Sequence, residues 1–210
     1  MESIYLMHTE IELKLVIKSA DIPALMNHSL LNCVNSERKP LRNIYFDTPD
    51  LTLVNQKMAF RMRLVDSRWI QTVKGGGKVE GGLHQRNEWE VEVESEKPDF
   101  EKLSQSPWHS IFTPDIQNAM VPLFETNFWR TTWLIELPKG LVELALDVGE
   151  IQVGNLTEPI SEVELELKSG KPDALFELAE LLNETVTLQA EDKSKAERGY
   201  ALYAESRPLK

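Results

Sequence analysis

The sequence predicts an α+β protein: a closed, eight-stranded antiparallel β-barrel with helices packed outside, forming one domain over residues 1–210. Three observations lead there. Alternation of apolar and polar residues with period two recurs in about eight segments, the pattern of strands with one apolar and one polar face. The connections between them are mostly of hairpin length, which favours an antiparallel meander over a doubly wound parallel sheet. The polar faces are also sorted by charge, Glu with Glu and Arg with Arg, whereas a solvated face mixes Ser, Thr, Gln and both signs. Closing the sheet turns those faces inward, acids opposite bases, and leaves the apolar faces to be covered by helices.

In chain order, HTEIELKLVI sets Glu10, Glu12 and Lys14 against Ile11, Leu13 and Leu15 on one strand. DIPALMNHSLLNCVN (21–35) has helical spacing, with Asp21 as N-cap and Pro23 in the first turn, and ends at a charged loop, ERKP. LRNIYFDT and MAFRMRLV (58–65) read as strands, the second carrying Arg61 and Arg63 on one face. WIQTVK (69–74) follows through a DSR hairpin turn and brings Lys74 to a mobile glycine-rich connection, GGGKVEGG, which lacks the spacing of a P-loop. HQRNEWEVEVE puts Arg86, Glu88, Glu90 and Glu92 opposite Trp89, Val91 and Val93. Pro107, Pro114 and Pro122 break residues 99–122 into short helices. Strands resume at FETNFWRTTWLIEL, with Arg130, at LVELALDVGEI, with Glu143 and Asp147, and at ISEVELELK, with Glu162, Glu164 and Glu166. PDALFELAELLNET (172–185) and DKSKAERGYALYAE read as closing helices.

A chain of 210 residues with 41% hydrophobic and 27% charged residues is globular and long enough for a sizeable core. A net charge of −11 argues against a nucleic-acid partner, which would require a basic face. The single cysteine, Cys33, excludes an intramolecular disulfide and reads as a small core residue, and the four histidines have no zinc-site spacing. With no signal-like segment and no membrane-length apolar run, a cytoplasmic protein without a membrane partner is expected. Trp69, Trp89, Trp129 and Trp133 read as packing aromatics, and Glu92, Glu94 and Glu166 as either solvated residues or ligands.

A polar interior holding several cations calls for an anion of high charge density, because unpaired buried charge is strongly unfavourable. Phosphate suits both the arginine fork and the compact lysine charge. Carboxylates facing phosphate need a divalent metal between, and oxygen ligands of this kind suit Mg²⁺ or Mn²⁺. On that reading Glu10 and Glu12 hold metal and Lys14 holds phosphate.

Glu10-x-Glu12-x-Lys14 resembles the ExExK signature of the CYTH superfamily, the triphosphate tunnel metalloenzymes. In family order there follow Arg61 and Arg63, Lys74, the Arg86-x-Glu88-x-Glu90 run, Arg130, Glu143 and Asp147, the Glu162-x-Glu164-x-Glu166 run, and SKAERGY with Lys195. YFDTPDLTL, GGLHQR, ELALDVGEI and SKAERGY are most similar to the bacterial inorganic triphosphatase branch. The resemblance runs from Glu10 to Tyr203. It implies a tunnel that binds a linear triphosphate, or polyphosphate, and hydrolyses it with Mg²⁺ or Mn²⁺. Lys14, Arg61, Arg63, Lys74, Arg130 and Lys195 would bind phosphate. Arg86 would join them or pair with Glu88 and Glu90, and Lys193 is a rival to Lys195. Glu162 and Glu164 would hold a bridging metal, and Glu10 and Glu12 a metal that activates the attacking water. A class IV adenylyl cyclase, a thiamine triphosphatase and a non-catalytic polyphosphate-binding module are the alternatives. Many relatives continue into a helical phosphate-binding CHAD domain, so a lone catalytic domain or a shortened chain is expected here.

Overall fold

The computed structural model describes residues 6–207; the first five and last three residues of the expected domain lie outside them. The strands are β1 (Leu6–Ile17), β2 (Ser36–Asp47), β3 (Met58–Val65), β4 (Arg68–Glu80), β5 (Leu83–Val93), β6 (Val121–Leu137), β7 (Gly140–Val153), β8 (Leu156–Gly170) and β9 (Leu188–Ala190). They form one antiparallel sheet in the order β5-β4-β3-β2-β6-β7-β8-β1, closed by pairing of β5 with β1, and β9 adds a short ninth strand to β1. The expected eight-stranded barrel is therefore present. The helices are α1 (Ile22–Met26), α2 (Ser29–Asn32), α3 (Thr52–Asn55), α4 (Phe100–Leu103), α5 (Pro114–Ala119), α6 (Asp173–Asn183) and α7 (Lys195–Ser206). No described helix is long and apolar enough to cross a membrane.

The apolar core lies outside the barrel wall, in three clusters beneath the helices. Leu175, Leu178 and Leu182 of α6 meet Leu13, Leu144 and Leu165, all at most 2% exposed. Each such leucine contributes about 1.5–3 kcal/mol through burial. Phe60, Met62, Val73 and Trp89 pack under the segment carrying α4 and α5, with Leu103 and Phe112. Phe124, Phe128, Ile151 and Ile160 pack under α7 with Tyr200 and Leu202. The period-two pattern thus places apolar side chains under helices and leaves the alternate residues to face inward.

Several local expectations are corrected. The helix expected over 21–35 is two short ones, because His28 adopts extended backbone (ψ 137) and the Asn27 side chain donates to the Pro23 carbonyl at 2.8 Å. Asp21 makes no side-chain cap, and Cys33 is exposed rather than in the core. ERKP is not a loop: β2 starts at Ser36, and this end pairs with β6 from Ser36 opposite Trp133 to Lys39 opposite Arg130. The turn after β3 is only Asp66–Ser67, both with positive φ, and Arg68 already belongs to β4. The glycine-rich connection is strand. β4 shifts register between Gly75 and Lys78, continues to Glu80 and turns at Gly81–Gly82. Gly77 has φ +112, and a Cβ there would lie 2.0 Å from the Gln85 carbonyl oxygen, so only glycine fits. Of the tryptophans expected to pack, Trp89 and Trp133 are buried, but Trp129 is 46% exposed beneath the Arg38 guanidinium.

Candidate active site

Register brings the charged faces together. On β1, Glu10 lies opposite Arg86 and Glu12 opposite His84 of β5, and Lys14 lies opposite Glu164 of β8. Arg130 of β6 faces Asp147 of β7, which faces Glu162 of β8. The outcome is a cavity of about 400 Å³ whose wall carries eight Lys or Arg and seven Glu side chains. Glu10, Glu12, Lys14, Arg61, Arg63, Lys74, Arg86, Arg130, Glu164 and Lys195 all line it, as do Glu166 and Lys168. Glu92 and Glu94 are exposed. Lys195 is buried and Lys193 exposed, so the register of α7, capped by Ser194, brings Lys195 to the cavity.

Most cations in the barrel are paired. Lys14 donates to Glu162, which Lys195 and Arg198 also contact; Glu162 is fully buried just behind the cavity lining. Lys195 reaches Asp147 at 2.6 Å and Glu164 at 2.8 Å, and Arg130 clasps Asp147 through two bonds at 2.8 and 2.6 Å while also donating to Glu164. Burial opposes charge on Glu164, but Lys195, Arg130 and Lys14 outweigh it and hold the carboxyl well below its ordinary value. Lys74 bridges Glu10 at 2.6 Å and Glu88 at 2.9 Å, and Arg61 donates to Glu88 at 3.2 Å. Burial likewise opposes ionisation of Glu90, yet Arg61 and Arg63 bring it down to about 2. Arg86 pairs with neither Glu88 nor Glu90; its partner is Glu197 of α7, at 3.3 Å.

Two groups are left out of balance. Arg63 donates to the neutral Asn43 side chain at 2.8 Å and has no ion-pair partner among the described residues. Burial, then Arg61 and Arg130, push its pKa down to about 10. Conversely, burial followed by the charges of Glu164 and Glu10 pushes Glu12 up to about 8. One cation short of negative charge and one carboxylate short of positive charge thus share a cavity, which suits an anion and a metal cation together.

Sequence reading gave no role to Asp147, His84 or Arg198. Asp147 lies with Glu162 and Glu164 such that one carboxylate oxygen from each falls within 4.8 Å of the others, the spacing of a metal site. His84, 1% exposed, sits on the inward parity of β5, and its Nε2 lies 3.0 Å from the Glu191 carbonyl oxygen. It ties down the segment that leads to Lys195, where the Glu191 amide also donates to the Lys14 carbonyl and the Gly82 amide to Asp192. The shared parity of His84 with Arg86 and Glu88 was the available signal.

A tunnel barrel lined by alternating cations and carboxylates defines a class, and the chain belongs to it: the CYTH domain family model matches residues 8–200. The chain is 37% identical over 207 residues to an inorganic triphosphatase of Haemophilus influenzae, covering 96% of this chain and 56% of that protein. It therefore spans little more than half the length of that curated relative. A candidate adenylyl cyclase from Hippeastrum, described as having a dominant triphosphatase activity, shares the fold with a TM-score of 0.66 at 22% identity, over 95% of this chain and 97% of that one. A candidate adenylate cyclase from Bacillus halodurans gives 0.57 at 20% identity, over 90% and 96%. At such identities these likenesses speak for the fold.

Proposed function

We propose that this domain hydrolyses inorganic triphosphate to diphosphate and phosphate with Mg²⁺ or Mn²⁺. The observation that carries the reading is Arg63, a cation on the cavity wall with Asn43 in place of a carboxylate, beside Arg61 and Arg130. A linear polyanion supplies the missing charge. The identity to the Haemophilus triphosphatase supports triphosphate as that anion.

The donor set suits a divalent metal. Glu10, Glu12 and Glu164 offer hard oxygen ligands, and a dication would displace the proton that burial, with the charges of Glu164 and Glu10, favours on Glu12. Glu162 and Glu164, with Asp147, form a second candidate set, whose charge Lys14, Lys195 and Arg130 neutralise in this structure. When bound, the metal supplies neutralisation at the phosphate oxygens and a more acidic attacking water. This chain's own cations do the rest. Lys14, Arg61, Arg63, Lys74, Arg130 and Lys195 exchange carboxylate or amide partners for phosphate oxygens, align the chain along the barrel and stabilise the charge that moves to the leaving diphosphate. Arg86 assists once it is released from Glu197.

The reading includes a cytoplasmic location, consistent with a lone exposed thiol, and leaves room for a helical CHAD domain in a longer native chain. The test is to incubate pure protein with triphosphate, ATP and thiamine triphosphate in Mg²⁺ or Mn²⁺ and to measure phosphate and cyclic AMP. Phosphate from triphosphate is expected. Cyclic AMP from ATP would make it a cyclase, preferred release from thiamine triphosphate would move it to that branch, and binding without release would make it a polyphosphate-binding module.

A further inference from the structure

Arg198 does not line the tunnel, yet it touches the carboxylate on which the tunnel's two buried lysines meet. It lies on α7 one turn after Lys195, and all three nitrogens of its guanidinium are engaged on β8. Nε donates to Glu158 Oε1 at 2.7 Å, Nη1 to Glu162 Oε2 at 3.1 Å and Nη2 to the Pro159 carbonyl at 2.5 Å. Lys14 of β1 and Lys195 of α7 both take the other oxygen of Glu162, Oε1. Glu164 is arranged alike. Its Oε1 lies 2.8 Å from Lys195 and 3.6 Å from Lys14, while Arg130 holds its Oε2. Each carboxylate thus has one oxygen closed by an arginine and shows the other to both lysines. Arg130 lines the cavity, whereas Arg198 and Glu162 lie behind the lining, so Arg198 does not belong with the cations that would meet phosphate.

We infer that Arg198 is a positioning residue for the substrate. By holding Glu162 Oε2 from behind the tunnel wall, it confines Lys14 and Lys195 to Oε1 and keeps their two ammonium groups side by side at the cavity. Like charges so placed repel, and a free second oxygen would let each lysine take an acceptor of its own. With Oε2 occupied the pair stays together, where one phosphate group can meet both donors. The inference rests on the triphosphatase reading and adds to it the group that sets the places of two phosphate ligands. The competing account is that Arg198 only fastens α7 to β8 through Glu158 and Pro159. Removing the guanidinium leaves no buried charge alone, since Glu162 keeps both lysines and the Glu158 side chain is 37% exposed, so variants at this position should fold.

The test measures triphosphate Kd by calorimetry in chelator, KM and kcat in Mg²⁺, and melting temperature, for wild type, Arg198→Gln, Arg198→Lys and Glu158→Gln. Charge-assisted bonds that are displaced rather than lost give up part of their strength, so Arg198→Gln should raise Kd and KM about fivefold, with a smaller change in kcat. Arg198→Lys keeps one charged donor for Glu162 Oε2 but loses the fork, so it should melt lower than wild type and yet bind triphosphate within about twofold of it. Glu158→Gln loosens the fastening alone and should behave in the same way. Wild-type Kd in Arg198→Gln overturns the inference. So does a Kd that worsens in step with falling melting temperature across the three variants, which would leave Arg198 as a fastening only. Should Arg198→Gln not fold, Arg198→Lys decides between a lowered melting temperature with kept affinity, as inferred, and the joint loss that overturns it. Wild type that binds triphosphate without releasing phosphate overturns the hydrolase reading but leaves the comparison of Kd in force. Wild type that does neither overturns both, and is seen before any variant is compared.

Discussion

Arg63 and Glu12 show how a single side chain can be held in an unfavourable state by a site made for something else. Removing the Arg63 charge relieves repulsion from Arg61 and Arg130 but, on the proposed function, also removes a phosphate donor. Arg63→Gln, which retains an amide donor for Asn43, is expected to raise the melting temperature of the substrate-free protein by a few degrees, about 1 kcal/mol for a domain of this size. Its KM for triphosphate should rise at least tenfold, since a charge-assisted bond is worth about 1.5–3 kcal/mol. Calorimetric melts and steady-state kinetics on the same preparation check both halves; a stability loss with unchanged KM would make Arg63 structural. For Glu12 the sign follows from its raised pKa. Between about 4.5 and about 8 the folded protein keeps a proton that the unfolded chain has released. The part of the metal-free stability that Glu12 contributes is therefore fully present below about 4.5, declines as pH rises to about 8 and is absent above. Glu12→Gln should remove that part of the decline and, with metal present, lower turnover far more than triphosphate affinity. Denaturation midpoints across pH in chelator measure the first effect, and a variant with the wild-type slope would show that the proton sits elsewhere.

At the scale of elements, α7 is where sequence and packing meet most tightly. Its glycine, Gly199, faces β6, and a Cβ there would lie 2.1 Å from the Phe124 ring. Phe124 is itself stacked on Tyr45 at 4.6 Å and set edge-on to Tyr200 at 5.2 Å, so it has little room to retreat. Gly199→Ala should therefore cost about 1–3 kcal/mol as an overpacked contact and tilt α7 enough to withdraw Lys195 from Asp147 and Glu164. A lower melting temperature together with a raised KM is the expected pair; a stable variant of normal KM would show that α7 tolerates the shift. The same helix marks how far the sequence could be read. SKAERGY was legible as a motif, and the strand parities of Glu10, Arg61, Arg130 and Glu162 were legible because inside and outside alternate with every residue. What escaped depended on partners distant in sequence. ERKP belongs to β2 because β6 pairs with it, and the helix over 21–35 breaks because a local side chain competes for the backbone. Asp147, recognised only as one of an acidic pair, gains its place from Arg130, Lys195 and Glu162 on three other elements. The Arg86 partner lies 111 residues away in Glu197, a separation at which no spacing pattern reports a contact.

For the whole molecule, the barrel is a closed shell whose apolar side faces outward under helices and whose interior is a nearly balanced salt. That inversion means the interior charges add little net stability while their partners are one another, because buried ion pairs roughly offset their desolvation cost. On the proposed function, ligand binding would change the balance: phosphate would satisfy Arg63 and draw lysines from Glu162 and Glu164, while metal ions would satisfy the carboxylates released. Triphosphate and metal should therefore stabilise the protein together by more than the sum of their separate effects. At a triphosphate concentration 100 times its Kd with metal present, linkage gives about 2.7 kcal/mol. For a domain of this size that corresponds to a rise of about 5–11 °C in melting temperature. A chelator should abolish most of the rise, and triphosphate alone should give only part of it. Because the charges lie inside the wall, 0.5 M KCl should hardly alter the melting temperature of the free protein yet should weaken triphosphate binding, where a polyanion must leave solution. Thermal melts over the four combinations of triphosphate and metal, at low and high salt, measure all of this. Strictly additive shifts would mean that phosphate and metal do not exchange partners across the tunnel, and that Lys14 and Lys195 stay on their carboxylates throughout.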